Sequence, residues 1–150
     1  MCDVLLMAAA VADFRPAKPE GSKIKKAGRD GLELALEPTE DVLGGLAEHR
    51  REGQTLIGFA AEHGPEAVER ARGKLRRKGL DAIVFNDISD RAIGFDSAQN
   101  EVTIITAAGD ERIARAAKHL IAQGVLDAIE RLRGIGAADP APRGGGGILA

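Results

Sequence analysis

The sequence predicts an α/β fold, a mostly parallel sheet with helices on both faces, and three observations carry that expectation. Val4 to Ala10 (VLLMAAA), Leu56 to Ala60 (LIGFA) and Ala82 to Phe85 (AIVF) are short, continuously apolar runs. A strand takes that pattern when helices cover both of its faces. Charged segments of helical spacing precede the second and third runs, and this alternation is the signature of βαβ units. At 150 residues, 44% hydrophobic and 29% charged, the chain has the size and composition of one globular domain. A chain of that length buries roughly 68–70% of the surface its unfolded form exposes.

Taken in order, Val4 to Ala10 reads as a central strand. Phe14 to Gly31 (FRPAKPEGSKIKKAGRDG) has no strand or helix periodicity, and loops of such length inside compact domains are usually functional or mobile. Leu32, Leu34 and Leu36 alternate with Glu33, Ala35 and Glu37, as in a half-exposed edge strand. A helix is expected from about Glu40 to Arg50 with Thr39 as its N-cap after Pro38. A second runs from about Pro65 to Lys78, with Pro65 in its first turn and Gly79 as its stop. Val102 and Ile104 alternate with Thr103 and Ile105, a second candidate edge strand. A third helix, about Glu111 to Arg133, would align Ile113, Ala117, Leu120, Ile121, Ala128 and Leu132 on one stripe. The organisation expected is one domain over residues 1–133 and a disordered Gly/Pro-rich tail over 134–150, because such a composition buries too little apolar surface to offset its ordering entropy.

Composition excludes several classes. Twenty-one basic against twenty-three acidic residues give a net charge of −2, which speaks against general polyanion binding through a segment such as KLRRK. The only aromatics are four phenylalanines, Phe14, Phe59, Phe85 and Phe95, few rings for a base-stacking nucleic-acid surface. Cys2 is the single cysteine, so an internal disulfide is impossible, as expected in a reducing cytoplasm. No basic segment precedes the apolar run from Val4 to Ala12, and no stretch reaches the ~20 apolar residues of a membrane span. A soluble, cytoplasmic protein is the expectation. The two common nucleotide fingerprints, a G-x-x-x-x-G-K-[ST] loop and a G-x-G-x-x-G turn after a strand, are absent, as is a G-x-S-x-G elbow. His49, His63 and His119 have no metal-ligand spacing.

Ligands of parallel α/β sheets bind beyond the carboxyl ends of the strands, so the residues following each apolar run are the candidates. Asp13 stands past the first run and either caps a turn or helps hold a magnesium ion shared with phosphates. Arg15, Lys18, Lys23, Lys25, Lys26 and Arg29 in the long loop form either a lid over phosphates or a solvated surface. Lys74 and Lys78, four apart, share one face at the margin of the arc Ala67, Val68, Ala71 and Leu75. They either lay their stems over apolar surface or reach a phosphate. Glu69, Arg72 and Arg76 point away. Phe59 is either core or the wall of a nucleoside pocket, and Asn86 and Asp87 are possible turn formers.

AAAVADFRP (Ala8 to Pro16), SKIKK (Ser22 to Lys26), TEDVL (Thr39 to Leu43), GFAAE (Gly58 to Glu62), KLRRKGLDAIVFND (Lys74 to Asp87) and GF (Gly94, Phe95) stand in one order and spacing. In that arrangement, from about Val4 to Arg133, the chain resembles the phosphopantothenoylcysteine synthetases, the phosphopantothenate–cysteine ligase half of the bacterial bifunctional coenzyme A biosynthesis protein. The resemblance implies a Rossmann-like ligase that joins 4′-phosphopantothenate to L-cysteine through an acyl cytidylate, releasing CMP and pyrophosphate from CTP. It implies Mg2+, a homodimer, and no flavin in this chain. Met7, Ala8 and Ala9 match the strand end that meets the nucleotide. Asp13 matches the acid at the CTP and cation site, and Lys23 matches the flap lysine that closes on the reacting centre. Glu40, Asp41, Val42 and Leu43 match a helix start that contacts the nucleotide, which repulsion from phosphates would place at the base or ribose. Phe59 matches the aromatic beside the nucleotide, and Lys74 and Lys78 match the triphosphate ligands.

In the family, a glycine-rich βαβ segment and an asparagine motif precede the AAAVAD strand. This chain begins at that strand, so the sheet is expected to be incomplete on its N-terminal side, with a further segment or another chain supplying the missing elements. The alternative is a non-catalytic CTP-binding or assembly fragment. The strand near Val102, as an exposed edge, is the expected meeting point of two copies.

Overall fold

The computed structural model describes residues 2–26, 28, 30–89 and 97–135. The motif pair Gly94 and Phe95, and the part of the expected tail over 136–150, lie outside the described residues. A five-stranded sheet runs in the order β1 (Val4–Met7), β4 (Thr55–Glu62), β5 (Ala82–Asp87), β6 (Gln99–Thr106), β7 (Asp110–Ala117). β1, β4 and β5 are mutually parallel, and β6 and β7 extend them antiparallel. β2 (Phe14–Pro16) and β3 (Leu36–Pro38) form a separate antiparallel ribbon. α1 (Val42–Glu48) and α2 (Ala67–Arg77) follow β3 and β4, and α3 (Lys118–Leu132) follows β7.

Alternation along the strands builds two cores, one on each face. Leu56, Ala60, Ile83, Phe85 and Ile105 meet Ala67, Ala71 and Leu75 of α2, with Leu43 and Ala47 of α1 at the margin. Ile57, Ala82, Val84, Val102 and Ile104 meet Ile121, Val125, Ala128 and Ile129 of α3. The expected Rossmann-like α/β layering is therefore present, with helices on both faces. Burying each of these larger aliphatic side chains contributes about 1.5–3 kcal/mol.

Several elements differ from expectation, each for a physical reason. β1 is an edge strand rather than a central one, and its four residues are only half-buried. β6 is interior: β7 pairs along its outer side and buries Val102, Ile104 and Ile105. The meeting of two copies at Val102 is thus ruled out, because that edge is already occupied. The first half of the expected third helix is strand β7. A bulge shifts the register so that Asn100 opposes Ala116 while Val102 opposes Ile113. The inward residues Ile113 and Ala116 consequently lie three apart, a helical spacing produced by a bulge. Gly109 at the hairpin turn, where the Thr106 hydroxyl donates to its carbonyl at 2.8 Å, reverses the chain. Cross-strand pairs Arg112–Glu101 and Arg115–Gln99 complete the pairing. α3 then crosses Ile113 at Gly124, where a Cβ would stand 3.0 Å from the isoleucine Cδ1.

α1 starts at Val42 with Asp41 as N-cap, its carboxylate accepting from the Gly44 amide at 3.0 Å. Thr39, the expected cap, instead donates its hydroxyl to the Ala12 carbonyl and its amide to that of Asp13, closing the ribbon's base. Of the alternating leucines only Leu36 is in a strand, and Leu32 and Leu34 are exposed in the loop between β2 and β3. Gly79 ends α2 as expected: its φ is +59°, and Leu80 N–H reaches the Leu75 carbonyl at 3.0 Å in a Schellman closure. Gly134 and Ile135 close α3 in the same way. Arg72 does not simply face solvent, since it pairs with Asp110 of β7 at 2.7 Å.

One side chain ties the far end of this assembly together. Arg133 Nη1, after α3, donates to the carbonyls of Asp3 and Gly53 and to Oγ1 of the buried Thr55, at 2.9, 3.2 and 2.9 Å. Arg133→Ala is expected to lower the unfolding free energy by about 2 kcal/mol, the scale of a lost charged hydrogen bond. Urea titration measures this, and a change below about 0.5 kcal/mol would refute the clamp.

Candidate functional site

β1 stops at Met7, opposite Gly58, whereas β4 continues to Glu62. The chain leaves the sheet there and crosses as Ala8–Asp13, and a cavity of about 460 Å³ opens between this segment, the start of α1 and the C-terminal half of α2. Its floor is Gly58, Leu80 and Ile83. A Cβ on Gly58 would lie 3.0 Å from Leu80 Cδ1 and 3.2 Å from Leu43 Cδ2, so the bare backbone lets both leucines close down on the sheet.

Most of the candidate residues line this one hollow: Met7, Ala9, Asp13, Glu40, Asp41, Val42, Leu43, Phe59, Lys74 and Lys78. Two do not. Ala8 lies beside the lining, its amide turned back to the Leu6 carbonyl at 3.1 Å. Lys23 is exposed in the loop between β2 and β3 and is not among the lining residues. Arg77, also in the lining, was missed. Its signal was available, since it lies three residues after Lys74 on the same helix flank. The residues that end or follow the second and third apolar runs, Glu62, His63, Asn86 and Asp87, are outside the lining. Asp87 is a turn former, its carboxylate bonded to Ser89, which holds it below the usual carboxylate range.

The lysines reach the hollow because α2 seats Ala67, Ala71 and Leu75 on the sheet, which leaves positions 74 and 78 at the seam. Both ammonium groups have acidic partners. Lys78 Nζ meets Asp41 Oδ1 at 2.8 Å, and Lys74 Nζ meets Glu62 Oε1 at 2.7 Å. The expected separation of an acidic base end from a cationic phosphate end is not seen at Lys78, because Asp41 touches it. The Lys78 hydrogen bond, then the Gly44 amide, hold the Asp41 carboxyl below its ordinary range. Burial pushes the Glu62 carboxyl up, but the hydrogen bonds from Lys74 and Arg70 outweigh it and the net direction is down. Phe59 is 43% exposed and so is a wall rather than core. Among the described residues no group of three or more His, Cys, Asp or Glu gathers as a metal site. Asp13 is a single carboxylate, which suits an ion held jointly with phosphate oxygens. No described helix is long and apolar enough to cross a membrane.

A carboxyl group with a depressed folded-state pKa contributes stability that is complete above its unfolded value, about 4.3 for Glu, and is lost as pH falls through the folded value. Stability should therefore decline below about pH 5, and Glu62→Gln should flatten that decline. Urea midpoints at pH 6, 4 and 3 measure it, and parallel curves for the two proteins would contradict the assignment.

The chain matches the DNA/pantothenate metabolism flavoprotein C-terminal domain family over residues 1–132. It is 42% identical over 104 residues to a cysteine/cysteine sulfinic acid decarboxylase from an unknown prokaryotic organism, covering 69% of this chain and 28% of that protein. To the coenzyme A biosynthesis bifunctional protein CoaBC of Mycobacterium bovis it is 41% identical over 137 residues, covering 85% of this chain and 32% of the relative. It therefore spans about a third of the length of these curated relatives. The crystal structure of a CoaBC C-terminal domain superposes with a TM-score of 0.64 at 33% identity, over 87% of this chain and 56% of that one. The family match over residues 1–132 takes in every strand and helix that encloses the hollow, and on that ground the chain belongs to the DNA/pantothenate metabolism flavoprotein C-terminal domain family.

Proposed function

We propose that the chain is the CTP-binding part of a phosphopantothenate–cysteine ligase acting in coenzyme A biosynthesis. The supporting observation is that Lys74 and Lys78, together with Met7, Asp13 and Phe59, line one hollow at the positions the ligase motifs occupy. The relatives named for coenzyme A biosynthesis agree with this reading.

A carboxylate is a poor electrophile at neutral pH. In the proposed reaction a carboxylate oxygen of 4′-phosphopantothenate attacks the α-phosphorus of CTP, and pyrophosphate leaves with the bond electrons. The resulting acyl cytidylate carries a good leaving group, and the amine of L-cysteine displaces CMP from its carbonyl carbon. Positioning and charge neutralisation account for such a reaction without a protein nucleophile. Phe59 faces the base or ribose, and the backbone at Met7, Ala8 and Ala9 meets the nucleotide. Lys78 exchanges Asp41 for phosphate oxygens, and Lys74 adds phosphate oxygens to its contact with Glu62. A triphosphate offers each ammonium several charged acceptor oxygens at once, where a carboxylate offers two. Asp13 holds Mg2+ together with phosphates, and the ion neutralises phosphate charge when bound. Lys23 comes to the reacting centre from a loop whose two ends are fastened by the Ala17–Ala35 and Thr39–Asp13 backbone hydrogen bonds, each 2.9 Å.

In this reading the protein is a cytoplasmic homodimer. That Lys23 is not among the lining residues favours one second reading, a non-catalytic CTP-binding or assembly fragment.

Calorimetry with CTP and magnesium should show Lys74→Ala binding at least tenfold more weakly than the parent chain, a loss of about 1.4 kcal/mol or more. Unchanged affinity at low salt removes Lys74 from the site. Pyrophosphate release on adding 4′-phosphopantothenate and L-cysteine separates the two readings: turnover supports the ligase, and binding without turnover supports the fragment.

A further inference from the structure

Glu62 is the last residue of β4, stands outside the hollow, and has a side chain only 13% exposed. Both of its oxygens are used. Oε1 takes Lys74 Nζ at 2.7 Å and Oε2 takes Arg70 Nε at 2.6 Å. Arg70 is itself fixed, since its Nη2 donates to the His63 carbonyl at 2.6 Å. The carboxylate is thus pinned from two sides at the end of a buried strand, while Lys74, its side chain 42% exposed, lines the hollow. A lysine stem has four rotatable bonds, and an anchor on its ammonium removes rotamer freedom that phosphate binding would otherwise have to remove. The charges also fit a supporting role. Two cations share one carboxylate, so Arg70 absorbs much of the Glu62 charge and leaves the Lys74 ammonium attractive to an anion.

We infer that Glu62, backed by Arg70, is a positioning residue that presents the Lys74 ammonium to the nucleotide phosphates, and this rests on the nucleotide reading given above. Charge alone and position make opposite demands. Deleting a negative charge near an anion site tightens binding electrostatically, whereas loss of the anchor loosens it.

The experiment is CTP titration in the presence of magnesium, by calorimetry on the full chain, for Glu62→Gln, Arg70→Gln, Lys74→Ala and the Glu62→Gln/Lys74→Ala double variant. Thermal melts serve as the fold control. Glu62→Gln is expected to bind CTP about fivefold more weakly despite its added net positive charge, and to add nothing in the Lys74→Ala background, as coupled neighbours do. Arg70→Gln, which leaves the full carboxylate charge on Lys74, is expected to be weaker by about threefold. If Glu62→Gln fails to fold, Glu62→Asp, which keeps the charge and draws the anchor back by one methylene, decides in its place: weaker CTP binding supports the positioning role and unchanged binding overturns it. Unchanged or tighter binding by the folded variants, with Lys74→Ala still tenfold weaker, overturns the positioning role and leaves the nucleotide reading standing. No effect from Lys74→Ala overturns both.

Discussion

The seating of α2 on the sheet is the constraint on which the site depends. Ala67 and Ala71 are small enough for the helix to lie close over Leu56, Ala60 and Ile83, and Leu75 fills the space beyond them. With that arc buried, helix geometry places residues 74 and 78 at the seam and leaves them no other side to face. The Schellman closure at Gly79 sends Leu80 back into the same core, so the helix end cannot drift. The early end of β1 then opens space beside the seam. Neither feature makes a site alone: without the open strand end the lysines would meet packed chain, and without the seating they would be solvated surface charges.

The hollow faces the C-terminal half of α2, and that electrostatic setting explains why its cations come as side chains. A helix N-terminus attracts anions through its free N–H groups, whereas the C-terminal end presents carbonyls and a partial negative charge. Lys74, Arg76 and Arg77 in the last turn offset that field. Part of the basic content of KLRRK therefore stabilises the helix, and Lys74, Arg77 and Lys78 also reach the hollow. The same short motif serves both purposes, which is why net charge says so little about this protein's ligands.

Much of this was legible in the sequence. The second and third apolar runs are strands and the first is one as far as Met7, the arc of α2 is the buried one, and its stop at Gly79 is as read. The nucleotide candidates largely gather in one hollow because their motif order follows strand order. What failed did so for nonlocal reasons. Strand β7 carried a helical spacing because a bulge moved its inward residues three apart. The interior place of β6 depends on that strand, so one misreading produced the other. The edge position of β1 cannot be read from VLLM, since a continuously apolar run looks the same whether one or two neighbours flank it. Lys23 lies in a loop whose aperiodic sequence says nothing about where its tip rests. Thr39 was a reasonable cap by residue type, but Asp41 could also meet Lys78, a partner thirty-seven residues away.

That last choice links fold and site more tightly than capping requires. Asp41 Oδ1 accepts both the Gly44 amide and the Lys78 ammonium, so the start of α1 is fastened to the end of α2 across the hollow. Gly44 is what permits it: a Cβ there would come within 2.8 Å of Asp41 Oδ2, and the carboxylate would have to swing away from the amide it caps. Glycine inside a helix ordinarily costs about 0.5–1 kcal/mol relative to alanine, and α1 carries two in adjacent positions. That penalty at position 44 makes sense if the carboxylate's place matters more than the helix's own stability. α1 is a short element, held less by its intrinsic propensity than by the acid at its head and by Leu43 and Ala47 on its inner face. The start of α1 and the end of α2 therefore meet on one carboxylate oxygen at the rim of the hollow, where a capping contact and a site lysine share a single acceptor.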